Sequence, residues 1–151
     1  MDAHTAATRY LGPTGLDPIM NRILNLVPKL GISVAGSRLL AVRGRKTGEW
    51  RTTLVNLLTT PDGTRYLVAP RGHTQWVRNL RVAGTGELRL GRKSETFTAV
   101  ELADADKIPV LRAYLERWGW EVGKFFEGVT KDATDAELAE IAPGFPVFAL
   151  A

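Results

Sequence analysis

Three runs of strand-forming residues, "RLLAVRG" (38 to 44), "RTTLVNLLTT" (51 to 60) and "RYLVAPRG" (65 to 72), follow one another with only "RKTGEW" and "PDGT" between them. Connections that short turn the chain back on itself, because a parallel neighbour needs a crossover of roughly a dozen residues or more. An antiparallel sheet of hairpins follows, and parallel βαβ architectures are excluded. In the second run Leu54 and Leu58 on one face and Val55 and Leu57 on the other are all apolar, which predicts a central strand buried on both sides, as in a barrel. Asn56, in the middle of that run, then needs a hydrogen-bond partner within the core.

The rest of the chain completes such a barrel. "HTQWVRNLRVAG" (73 to 84) predicts a short helix, with Thr74 as N-cap, Trp76 and Leu80 four apart, and Gly84 as the stop. Two more strands, "ELRLG" and "ETFTAVELA", are joined by "RKS". "DADKIPVLRAYLERWGW" opens a helix on acidic residues, "TDAELAEIA" (134 to 142) gives another, and "FPVFALA" reads as a returning last strand. Ahead of the sheet, "DPIMNRILNLVPKL" (17 to 30) has the spacing of an amphipathic helix capped by Asp17, after a leader over 1–16 that is expected to be flexible. The whole, 1–151, reads as one α+β, mainly β domain: a small barrel of about six mostly antiparallel strands with flanking helices.

Charge is distributed unevenly. Residues 43–93 carry eleven Lys or Arg against Glu49, Asp62 and Glu87, a surplus of +8 in a chain whose net charge is only +4. The surplus is densest in "VRGRKTGEWRTT", where Arg43, Arg45, Lys46 and Arg51 surround a turn that structurally needs none of them. A local surplus points to an anionic partner. If the first two runs form a hairpin, Arg45 and Lys46 sit on its turn and Arg51 stands opposite. The helix that starts just after Arg71-Gly72 adds free backbone N–H groups, so the pattern predicts a pocket for a ligand with an anionic tail and a flat apolar head.

Other chemistries are disfavoured. There is no cysteine, and the two histidines, His4 and His73, are far apart, which argues against a metal centre and against Cys or Ser-His nucleophiles. "GELRLGRKS" (86 to 94) mimics a phosphate loop but has Arg92 where lysine is required and strand-turn-strand flanks. "GTGELR" (84 to 89) lacks the third glycine of a dinucleotide fingerprint. Single-stranded nucleic acid could use Trp50 and Trp76 as platforms, but no RNP-like or KH-like pattern accompanies them, so no nucleic-acid partner is expected. The start of the sequence lacks signal-peptide character and no apolar run is long enough to span a bilayer. A cytoplasmic protein is expected, with at most peripheral membrane contact, as a monomer or homodimer.

"RGRKTGEWRTT", "YLVAPRG" and "WVRNLR", in that order and followed by "ELRL", resemble the deazaflavin (F420)-dependent nitroreductase family, actinobacterial split β-barrel oxidoreductases related in fold to flavin-binding proteins. The similarity runs from about residue 38 to 100 and resumes in the closing "PVFAL". It implies that the ligand is coenzyme F420, a deazaflavin with a phosphodiester and an oligoglutamate tail, rather than FMN. By motif position Arg45, Lys46 and Arg51 would hold the anionic groups with Arg71 nearby, Gln75, Trp76 and Asn79 would lie against the ring, and Thr53 would also contact the cofactor. The implied activity is hydride transfer from reduced F420 to a small hydrophobic acceptor such as a quinone, an activated alkene or a nitro compound; a non-catalytic binder of F420 or of another anionic amphiphile such as a fatty acid is the alternative. The family's nitroreductase proper lines its acceptor site with C-terminal tyrosines, and here none follows Tyr114. Trp118, Trp120, Phe125 and Phe126 are the aromatic residues available for an acceptor pocket, or else for the core.

Overall fold

The computed structural model describes residues 36–126 and 128–151, with residues 120–124 as backbone only. The helix expected over 17–30 lies outside them. The described chain runs β1 (Ser37–Arg43), β2 (Trp50–Thr59), β3 (Arg65–Val68), α1 (Gln75–Ala83), β4 (Thr85–Leu90), β5 (Lys93–Glu101), α2 (Ile108–Val122), α3 (Asp135–Ile141) and β6 (Val147–Leu150). The six strands close into a barrel in the order β1-β2-β3-β6-β5-β4, and every neighbouring pair is antiparallel. The fold expected from the hairpin spacing is the fold observed.

Strand alternation sorts the apolar residues into two cores. Inside the barrel Leu40, Val42, Val55, Leu67, Leu88, Phe97, Phe148 and Leu150 meet Val77 and Leu80 of α1, which plugs it. Outside, Leu58, Val68 and Val147 are covered by Leu111, Tyr114, Leu115 and Trp118 of α2 and by Leu138 and Ile141 of α3. Consecutive residues therefore serve opposite cores: Leu67 and Val68, Val147 and Phe148. Helix α3 starts on a capping box, in which Thr134 and Glu137 satisfy each other's backbone N–H groups.

Three local readings need correction. The strand expected over 65–72 ends at Val68, because Pro70 has no N–H to give a ladder and the chain turns through Gly72 at φ 88°. Thr74 occupies the N-cap position of α1, but its side chain makes no capping bond, and its Oγ1 is buried without a partner among the described residues. Strand β2 is buried on both faces only in its second half, where Val55 faces the barrel interior and Leu58 the outer core; Trp50 to Thr52 are exposed. Asn56 is partly buried, within 3.5 Å of the Ser37 hydroxyl across the β1–β2 ladder.

The half-exposed β2 shapes the molecule. It pairs with β1 from Arg43↔Trp50 to Ser37↔Asn56, yet with β3 only from Leu57 to Thr59. Its first half is thus a projecting arm whose far edge is unpaired among the described residues.

Candidate functional site

A cavity of about 380 Å³ lies against that arm. Four segments line it: Val42 at the end of β1; Gly44, Arg45, Lys46 and Thr47 of the hairpin turn; Arg51, Thr52 and Thr53 of β2; and Gln75, Trp76 and Asn79 of α1. Val42 is 1% exposed and belongs to the barrel's inner core, so the cavity floor continues the barrel interior, while the turn supplies its polar rim. Trp76 packs partly buried on that core, its ring centroid 6.0 Å from that of Phe148.

The turn is built to hold cations outward. Gly44 N–H donates to Glu49 C=O at 2.7 Å and Gly48 N–H to Gly44 C=O at 2.8 Å, and Gly48 adopts φ 76°, which a side chain would strain. The four cations of this segment then divide. Arg43 stacks over Trp50, 4.0 Å from the ring centroid, and donates to Gly48 C=O, so it is absorbed in bracing the arm. Arg45, Lys46 and Arg51 all line the cavity. Arg51 shares β2's inward parity with Val55, which aims it to the cavity side of the strand.

Backbone polarity adds to this. Leu57 N–H donates to Gly36 C=O on the β1 side at 3.1 Å, so odd-numbered residues of β2 bond to β1 and even-numbered ones turn N–H and C=O to the other edge. Thr52, on the cavity wall, therefore presents a free donor and acceptor pair there among the described residues. Helix α1 has no acidic residue in its first turn, so its positive end, beside Gln75 and Trp76, is left uncompensated.

Of the residues expected to bind an anionic ligand, Arg45, Lys46, Arg51, Thr53, Gln75, Trp76 and Asn79 are brought together at one cavity. Arg71 is not on its lining; its guanidinium lies 5.4 Å from the centroid of the Phe125 ring. Asn79, expected against a ring, is 5% exposed, and its carboxamide oxygen accepts hydrogen bonds from Arg45 N at 3.1 Å and Nη1 at 2.8 Å. The sequence signal missed Val42, Thr47 and Thr52, which reach the cavity through barrel closure and edge polarity rather than through residue type. Among the candidate acceptor-pocket aromatics whose side chains are described, none of Trp118, Phe125 and Phe126 lines it. Trp118 and Phe126 are fully buried in the outer core because α2 sets Tyr114 and Trp118 four apart on the face that covers the barrel, and Phe126 stacks on Phe145 at 4.2 Å. Phe125 packs partly buried on the same core, and the Trp120 side chain lies outside the described residues.

A family model described as F420H(2)-dependent quinone reductase matches residues 21–120. No curated protein matches. Among solved structures, an F420-H2 dependent reductase (FDR-A) superposes with a TM-score of 0.53 at 19% identity, over 77% of this chain and 94% of its own. A chain solved as a domain-swapped dimer gives 0.56 at 17% identity over 91% and 100%. A protein of unknown function from Agrobacterium tumefaciens gives 0.53 at 19% identity, over 93% of this chain and 56% of that one. At such identities the structural likeness is one of fold.

Proposed function

The chain belongs to the F420H(2)-dependent quinone reductase family, and we propose that it passes a hydride from reduced F420 to a quinone or a similarly small, hydrophobic, electron-poor acceptor. It is an oxidoreductase, and its cofactor is the deazaflavin F420. The observation that carries the reading to a site is the cavity in which Arg45, Lys46 and Arg51 stand beside an apolar floor of Val42 and Trp76.

The donor set suits that cofactor. Phosphate and carboxylate oxygens call for charged donors in fixed directions, which Arg45 and Arg51 supply as planar forks and Lys46 as a point charge. The hydroxyls of Thr47 and Thr53 can add neutral donors. The Thr52 edge and Gln75 suit the amide-like rim of a flat heterocycle, and Trp76 its face. Bound there, reduced F420 supplies a hydride from its ring carbon C5. The chain's own part is to hold the anionic end at the rim, keep the ring against the barrel floor and exclude water from that face. The lining residues include no carboxyl, imidazole or phenol among the described residues, so the proton that follows the hydride is assigned to Lys46 or to water at the open rim.

Oxidation of reduced F420 by a naphthoquinone, followed optically with the purified protein, tests the activity. Acceptor-dependent turnover is expected. Tight binding of F420 without turnover would make the protein a carrier, and FMN binding at least as tightly as F420 would remove the site assignment.

A further inference from the structure

We infer that Asn79 is a positioning residue: it holds Arg45 as the fixed anchoring cation of the cavity and leaves Lys46 and Arg51 to meet the variable anionic groups of the ligand. The inference rests on the proposed placement of F420 in this cavity.

Asn79 and Arg45 are 34 residues apart, yet one carboxamide oxygen takes both the backbone N–H and the guanidinium of Arg45. The first bond fixes where the hairpin turn sits relative to α1; the second fixes the rotamer of the side chain. Both donors belong to Arg45, so the carboxamide has only one orientation that satisfies them, with its NH2 turned away from the arginine. Asn79 is 5% exposed and lines the cavity, so this brace lies in the wall itself.

The chemistry of the brace matters as much as its geometry. Arg51, Arg65, Arg81, Arg89 and Arg112 are each paired with a carboxylate, at 2.7 to 3.6 Å. Arg45 is oriented by a neutral group instead, so it is held without being neutralised and keeps its charge for a ligand. Lys46 is exposed on the turn, and the Arg51 side chain is 61% exposed, its only ion pair among the described residues a long one to Glu49. A rigid, half-buried cation suits an anionic group at an invariant distance from the ring, which in F420 is the phosphodiester. Two exposed cations, neither held by a brace of this kind, suit carboxylates whose number varies, as along the oligoglutamate tail.

The test combines Asn79→Ala, Arg45→Ala and Lys46→Ala with titration of F420 carrying short and long tails. Asn79→Ala should weaken binding about tenfold, the scale of one charge-assisted hydrogen bond made imperfect. The loss should be similar for both tail lengths and should largely vanish in an Arg45→Ala background while adding to Lys46→Ala. Lys46→Ala should instead reduce the advantage of the long tail. A residue that only stabilised the turn would flatten the tail dependence too, and that outcome, or affinity unchanged by Asn79→Ala, overturns the inference. In the ligand-free wild type the Arg45 amide should exchange its hydrogen at least tenfold more slowly than that of Lys46. Equal rates would show the brace absent, even if Asn79→Ala fails to fold. If wild-type protein does not bind F420 at all, the cofactor placement fails first and takes this role with it, a result distinct from wild-type binding that Asn79→Ala leaves intact.

Discussion

Replacing Arg51 separates binding from folding. Its guanidinium lies 3.6 Å from the Glu49 carboxylate, with the two side chains 61% and 71% exposed. An exposed pair of that length contributes at most about 1 kcal/mol to stability, so Arg51→Ala should shift the unfolding free energy by about 0.5 kcal/mol or less. Binding is another matter. A hydrogen bond to a charged partner contributes about 1.5 to 3 kcal/mol, so the dissociation constant for F420 should rise about 10- to 150-fold. Glu49→Gln gives the opposite sign from the same geometry, because it removes a carboxylate that competes with the ligand for Arg51 and repels its tail. Affinity should then rise, by about fivefold at most on the scale of an exposed ion pair, and the gain should disappear in about 1 M salt, where the screening length falls to about 3 Å. Fluorescence titration of both variants beside chemical denaturation measures all four quantities. Arg51→Ala with wild-type affinity, or Glu49→Gln with weakened affinity, would refute the assignment of this rim to an anionic ligand.

Gly86→Ala should destabilise the fold by about 1 to 3 kcal/mol by denaturation, since a Cβ there would stand 2.8 Å from Phe97 Cζ and 2.9 Å from the Ala41 carbonyl oxygen. Trp118→Ala should lose about 3 to 5 kcal/mol of stability, whereas Trp118→Phe should leave the KM for a quinone unchanged; a shifted KM would return this residue to the acceptor site. His73 predicts a pH effect. Burial, and secondarily the charge of Arg81, lowers its pKa from the ordinary 6.5, against the raising effect of its Nε2–H bond to Pro143 C=O. Arg81 Nη2 meanwhile donates to Nδ1 at 3.0 Å, which requires the neutral ring. Below about pH 6.5 the unfolded chain takes up a proton that the folded chain resists, so stability should fall with pH in that window. His73→Gln should lose less between pH 7.5 and 5; equal slopes by thermal melting would exclude this histidine as the cause.

The barrel was legible because hairpin spacing is a local property. Short connections force antiparallel neighbours, and all the strands from β1 to β6 fall within a few residues of where period and turn residues place them. The cationic turn was equally visible as composition. What the sequence could not show is which neighbours each residue meets once the sheet closes. Trp118 carries the same aromatic signal whether it lines a pocket or fills a core, and only the packing of α2 on Leu58 and Val147 decides for the core. Asn79 looks like a ring contact by motif position, yet its oxygen is spent on Arg45. Thr52 carries no signal, because its contribution is a backbone edge set by the parity of a ladder.

That edge explains why the cations sit where they do. A strand that leaves its sheet early exposes unpaired N–H and C=O groups, which elsewhere would invite pairing with another chain. Here the arm of β2 leaves β3 after Thr59↔Arg65 to Leu57↔Leu67, and α1 stands across the gap with Trp76 on the barrel floor. The cavity between them, about 380 Å³, is of a size that takes a small molecule. Arg43 with Trp50 stiffens the arm from behind, and Asn79 fixes its tip to α1. The cost of an open edge and of three like charges on one rim is met by a ligand that brings both hydrogen-bonding groups and anions. The expected consequence is that F420 protects the Thr52 and Leu54 amides from hydrogen exchange, whereas inorganic phosphate, supplying only the anion, leaves both unprotected. Protection of Thr52 by phosphate, or its absence with F420 bound, would place the ring somewhere other than along this edge.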